Sequence, residues 1–289
     1  MIFSRFLIAL GLIAAAPAYA DDGRAGGKLL LTDGITTVEG AAGGGIATWA
    51  VIAGNETNRG IGGSAHATLV ALPDFSLKSF GAAIGIHDRV ELSYTRHVFD
   101  TRDAGAALGL GKGFTFGQDV FGAKVRLLGD AIWAQDSWVP QVAVGVQYKD
   151  ANRDAVVRAV GARQDKGADI YVAATKLILS QSAILNATVR FTKANQWGLL
   201  GFGGDKQSSR TAQFEGSAGV MLSPSIVVGA EYRTKPDNLG FAEEDDSFDV
   251  FAAWAVHRNV TVTAAYADLG DIATVKNQRG LFLSLQGAF

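Results

Sequence analysis

Eight charged residues of the chain share a setting: Glu91, Lys124, Arg126, Lys149, Arg190, Glu215, Glu231 and Arg233 each stand in a stretch where apolar and polar residues alternate, on the side away from the apolar ones. Alternation at a period of two marks a β-strand, whose successive side chains point to opposite faces. One face of the resulting sheet is greasy and the other carries charge. In a dry core each of these charges would cost several kcal/mol unless paired. A water-filled lumen removes that penalty, and opposed acids and bases on its wall would order water and filter polar solutes by charge and size. A network of ion pairs closing a narrow barrel accounts for the same residues. Glu91, Arg190, Glu231 and Arg233 are the foremost candidates for lumen lining.

Other residues suggest chemistry less strongly. Ser64 with His66, or Ser93 with His97, could share one strand face and form part of a lipid hydrolase, but no Gly-x-Ser-x-Gly elbow accompanies either pair. His66, His87, His97 and His257 show no metal-ligand spacing, so neither metal nor cofactor is expected. The glycine-rich stretch 40–45 is followed by no Lys-Ser/Thr and reads as a flexible loop rather than a phosphate loop. Glu243, Glu244, Asp245 and Asp246 form an acidic run that would be solvated or bind divalent cations bridging lipopolysaccharide. The segment 104–116 is too apolar for an ordinary exposed loop, which suggests a constriction folded into the barrel or packing on its rim.

The elements that must position the charges are strands joined by connections of two kinds. Val142, Val144, Val146 and Tyr148 oppose Gln141, Gln147 and Lys149; Leu92 and Tyr94 oppose Glu91, Ser93 and Thr95; Val189 and Phe191 oppose Thr188 and Arg190. Short turns at 87–88, 180–182, 223–224 and 257–258, with a longer one at 129–137, alternate with long stretches at 101–116, 151–167, 194–210, 235–246 and 269–278. That asymmetry is the habit of bacterial outer-membrane barrels. Tyr94, Tyr148, Phe191, Tyr232 and Tyr266 fall on the apolar faces past the short turns, as an aromatic girdle would. Thirteen strands are predicted, the first over 45–54 and the last over 279–289. An even count then requires a fourteenth from 28–39, or twelve if this first hairpin folds into the lumen.

The chain begins with Arg5, an apolar run over 6–16 and the triplet Ala18, Tyr19, Ala20, which predicts a signal peptide over 1–20 cleaved between Ala20 and Asp21. The mature barrel would occupy 21–289. The run is too short to span a bilayer as a helix, and no other stretch is long enough. There is no cysteine for a disulfide or a lipid anchor. A net charge of -2 offers no field for nucleic acid. The 36 glycines among 289 residues weaken helices but suit a curved wall.

The segments EGAAGGG (39–45), DRVELS (88–93), FDTRDAGAALGLGKGFTFGQD (99–119), QDSWVPQVAVGVQYK (135–149), VGAEYRTKPDNLG (228–240) and NQRGLFLSLQGAF (277–289) together resemble the Domain of Unknown Function 3034 family of Gram-negative bacteria. The resemblance implies an exported barrel and carries no substrate, reaction or site residue with it. Leu283, Leu285 and the final Phe289 resemble the C-terminal signal read by the barrel-assembly machinery. The expectation is therefore an all-β, antiparallel transmembrane barrel of about 14 strands (12 being the alternative) in the cell outer membrane, among outer-membrane lipid and lipopolysaccharide. A pore for small polar solutes is the leading function. A non-conducting structural or adhesive barrel and a lipid-modifying enzyme are the alternatives.

Overall fold

The computed structural model describes residues 28–289, so the expected signal peptide and the Ala20–Asp21 cleavage site lie outside the described residues. Twelve strands run up and down in chain order: β1 (Ile61–Ala71), β2 (Ser76–Ile86), β3 (Val90–Asp100), β4 (Thr115–Leu128), β5 (Gln141–Ala151), β6 (Lys166–Ile178), β7 (Ala183–Thr192), β8 (Thr211–Ser223), β9 (Ile226–Arg233), β10 (Ser247–His257), β11 (Val260–Asp268) and β12 (Arg279–Ala288). Each pairs antiparallel with the next. β12 closes the ring on β1, from Leu281 opposite Ala71 to Ala288 opposite Ser64. Closure leaves no unpaired edge, which is what allows a sheet to sit in lipid.

The count is twelve, the lower of the two the alternation left open. Residues 45–54 and 31–39 of the two segments read as the extra strands lie inside the barrel, and residues 31–53 are buried throughout, while 28–30 reach its surface. The physical reason is visible in Gly45–Gly54: apart from Thr48 it carries no polar side chain, so it lacks the polar face that a wall strand needs and suits a position enclosed on all sides. The regular structure of the inner segment 31–54 is limited to a two-residue ladder, Ile35–Thr36 with Ala42–Gly43, and a single bridge between Gly43 and Thr48. This inner segment is called the plug below.

The wall faces follow the alternation. Leu92, Val146, Leu185, Val250, Leu281, Leu283 and Leu285 point outward, with the polar residues between them inside. Phe121 lies between Tyr94 and Tyr148 in register, and Tyr232 lies opposite Phe248, so aromatic rings line up across neighbouring strands. Tyr148, Phe191, Tyr232 and Tyr266 stand near the long-loop ends of their strands; Tyr94 is nearer the middle, its ring 5.1 Å from that of Phe121. The short-turn end carries His87 and Asp88, both with positive φ, as a tight right-twisting hairpin demands. The terminal Phe289 accepts backbone hydrogen bonds from Asn55 and Gly63 at that same end.

If this outward face meets lipid, a charge at its middle should be severely destabilising. Leu283→Arg should lower the unfolding free energy in lipid vesicles by about 2–4 kcal/mol, whereas Ser284→Arg, facing the plug, should release the plug without the same loss. Denaturant titration of both variants checks this, and equal behaviour would contradict the assignment of faces.

Candidate functional site

The inside of the barrel is filled, and its charges hold the filling. Irregular backbone placed inside a barrel needs a hydrogen-bond partner for every N–H and C=O, and here side chains of the wall supply many of them. Glu91 accepts from the amides of Ala42 (3.2 Å) and Ala53 (2.9 Å). Lys124, 3.0 Å from Glu91, donates to the carbonyls of Ala42, Trp49 and Val51. Glu231 accepts from Ile46 (2.8 Å) and Glu215 from Thr48 (2.8 Å). Gln286 holds both the amide and the hydroxyl of Thr36. Gly44 is pressed against Glu231: a Cβ there would fall 1.7 Å from its Oε1, so any side chain at 44 would have to displace the carboxylate that accepts from Ile46.

One plug residue gathers the cations. The buried carboxylate of Glu39 binds Arg233 at 2.7 Å and Lys149, and lies 3.9 Å from Arg190. Arg190 also reaches Glu215 (2.5 Å) and Asp169 (3.6 Å), and Lys149 reaches Asp169 at 2.7 Å. Of the residues expected to line a lumen, Glu91, Lys124, Lys149, Arg190, Glu215, Glu231 and Arg233 thus face inward against the plug rather than an open channel. Arg126 sits apart at the short-turn end, 2.5 Å from Asp88.

Glu39, Asp169 and Asp249 did not stand out in the sequence. Glu39 lay in a segment read as wall, and β6 carries Tyr171 inward beside Asp169, which blurs the alternation. Asp249 faces Glu231 in register, fully buried, with neither oxygen hydrogen-bonded. The serine-histidine pairs do not form a relay. His66 bonds Ser79, while His97 bonds Gln118 and the Val38 carbonyl, all inside the barrel. Among the described residues no group of three or more His, Cys, Asp or Glu could hold a metal ion.

At the long-loop end the loops enclose a cavity of about 400 Å³ with a hydrocarbon lining that includes Leu77, Phe99, Leu110, Phe116, Leu199 and Phe241. The apolar 104–116 segment, whose start forms the short helix α1 (Ala104–Ala107), lines one side. The acidic run is only partly solvated: Glu244 is buried, 3.4 Å from Lys235 and 2.7 Å from Gln196. Burial pushes the Glu244 carboxyl up to about 7 against the pull of Lys235, whose own pKa burial lowers.

A closed meander of twelve antiparallel strands, greasy outside and charged within, defines a transmembrane β-barrel with a porin-like fold. The chain belongs to the family described as Protein of unknown function (DUF3034), whose model matches residues 32–286. Its fold is similar to that of the KdgM porin (TM-score 0.52, 8% identity, 78% of this chain and 99% of that one) and the NanC porin (TM-score 0.51, 7% identity, 78% and 100%). The outer membrane phospholipase A of Escherichia coli aligns at TM-score 0.44 with 8% identity, over 78% of this chain and 89% of that one. At such identities the likeness is one of fold. No curated protein sequence matches the chain.

The raised Glu244 pKa fixes a direction with pH. The folded loop holds its proton more tightly than the unfolded chain, whose carboxyl titrates near 4.5, so the contribution to stability is fullest below that value and is lost as pH rises through about 7. Cleavage within 234–246 by a protease of broad pH range, normalised to an unstructured substrate, should be faster at pH 8 than at pH 5.5, and Glu244→Gln should flatten the difference. A pH-independent rate in the unmodified protein would contradict it.

Proposed function

We propose that the chain is an outer-membrane passage for small solutes that its own N-terminal segment keeps shut. The observation that carries this is how the plug is attached. Side chains of the wall hold it, and among the described residues no strand of the wall pairs with the plug's own ladder, so withdrawal of the plug would leave all twelve wall strands paired. The charges then exposed would line a wet lumen suited to small polar solutes, with Glu91, Arg190, Glu231 and Arg233 setting its ion preference. The naming of KdgM and NanC as porins supports the same reading. Export through a signal peptide removed before Asp21, assembly guided by Leu283, Leu285 and Phe289, and lipopolysaccharide around the long loops belong to the proposal. A lipid hydrolase is the weaker reading, because His66 and His97 are buried inside the barrel and engaged elsewhere.

Single-channel recording of the refolded protein in planar bilayers tests it. The unmodified protein should be mostly closed. Glu39→Gln, which removes the charge shared by Arg233, Lys149 and Arg190, should raise the open fraction at least tenfold, or about 1.4 kcal/mol. Deletion of 29–58 should leave a steadily open pore whose reversal potential in a salt gradient shifts on Arg233→Glu. A folded deletion variant that conducts nothing would overturn the proposal in favour of a non-conducting barrel.

A further inference from the structure

The cavity at the long-loop end is built differently from the polar lumen beneath it. Its lining is drawn from all six connections of that end, including Leu72 and Phe75 between β1 and β2, Val156 and Val160 in or beside the helix α2 (Asp154–Ala159), and Ile272 between β11 and β12. A space of about 400 Å³ falls within the range of about 300–1,000 Å³ of small-molecule sites, which are mostly apolar with a few fixed polar groups. Two buried polar atoms belong to lining residues and have no hydrogen-bond partner among the described residues: the indole Nε1 of Trp197 and the hydroxyl of Ser247. Buried polar atoms are rarely left so, because an unmade hydrogen bond costs about 1–3 kcal/mol. An indole N–H can only donate, so what completes it is an acceptor.

Trp197 is also held under strain. It and Gln196 both adopt left-handed backbone angles, φ 58° and 44°, which non-glycine residues avoid. The turn is pinned from several sides: Lys149 and Gln118 donate to the Trp197 carbonyl, Gln196 donates to Glu244 and to the Asp271 carbonyl, and the Arg233 guanidinium lies 4.9 Å from the centre of the Trp197 ring. The turn is thus fixed beside an apolar space.

We propose that this cavity binds a small, mainly hydrocarbon molecule bearing one neutral hydrogen-bond-accepting group, with the hydrocarbon against the loop residues and the acceptor turned toward Trp197 and Ser247, whose covered Nε1 and Oγ a small side-chain rotation would bring to it. Lys235 lines the cavity too, but its Nζ is already engaged by Glu244 and by the Leu269 carbonyl rather than left to meet an anion. This goes beyond the reading of the barrel as a passage: the charged lumen beneath suits polar solutes, whereas this outer site receives an apolar one.

The probe is radiolabelled 1-decanol, added to the full mature chain in lipid nanodiscs, since detergent would itself fill the cavity, and counted against protein-free discs. One saturable site per barrel is expected. Leu200→Trp should abolish it by filling the cavity. Trp197→Phe with Ser247→Ala should weaken 1-decanol at least fivefold while changing decane less than twofold, a split that general loosening of the loops would not give. Decanoate should compete less well than decanol, and a neutral trisaccharide should not compete. No saturable binding beyond empty discs, binding indifferent to Leu200→Trp, or equal loss of decanol and decane in the double variant would each overturn the inference. Conductance of the 29–58 deletion separates the two readings. A conducting pore without decanol binding leaves the passage standing and removes this solute class, whereas binding without conductance leaves the site standing and removes the passage.

Discussion

The constraint on which the interior depends is the hydrogen-bonding demand of an irregular backbone enclosed by a barrel. A segment with only a two-residue ladder and a few turns of its own brings many of its amides and carbonyls inside without a backbone partner, and each would cost about 1–3 kcal/mol if left so. The wall answers with side chains instead of backbone. Asn186 and Thr188 donate to the Thr48 carbonyl, Thr175 accepts from the Ala50 amide, and Gln141 donates to the Ala50 carbonyl. The wall's inner face is therefore polar for a reason distinct from water: it is a template for one particular chain path. Side-chain bonds of this kind can be exchanged for water without disturbing the wall, which a shared β-ladder would not permit.

Charge is then arranged to match. Arg190 and Arg233 both lie against Glu215, yet only the arrival of Glu39 balances the upper cluster, where Lys149 also gathers. Burying so many ions is a poor source of stability unless each is paired. Its consequence here is selectivity for the plug's position, since a shift along the barrel would strand the Glu39 carboxylate and its cations together. Glu231 and Asp249 are the exception: they face each other as like groups, and Glu231 is bonded to Ser217 and to the plug while Asp249 is bonded to nothing among the described residues.

The wall was legible in the sequence because lipid and interior impose opposite chemistry on alternate residues. Val142 to Lys149 and Leu281 to Gln286 show the period of two plainly, and the turn and loop lengths give the topology. The plug was not legible as a plug. Ile46, Trp49, Val51 and Ile52 look like strand residues one at a time, and only the missing polar face separates them from the wall. The inward charges could be placed on a face but not assigned partners, because the partners sit far away in sequence: Glu39 lies 194 residues from Arg233. A lumen lined by charge and a lumen packed with ion pairs have the same one-dimensional pattern. The outer cavity was legible only as the odd hydrophobicity of 104–116, since its other walls come from short pieces of five further connections.

The two interior compartments meet at the turn Asn195–Gly198. Below it, the Trp197 carbonyl takes hydrogen bonds from Lys149, which also binds Glu39, and from Gln118; beside it, the indole ring takes the face of Arg233, the other close partner of Glu39. Above it, the same residue lines the apolar cavity. A left-handed conformation at two successive non-glycine residues persists only where the surroundings hold it, and here the holders are Lys149 and Gln118 at the Trp197 carbonyl, Arg233 at its ring, and Glu244 and the Asp271 carbonyl at Gln196. Relaxing the turn toward ordinary backbone angles would move the carbonyl off Lys149 and the ring off Arg233 together. Lys149 and Arg233 are thus close partners of both the turn and Glu39, so the residue that lines the outer cavity and the seating of the plug share two side chains.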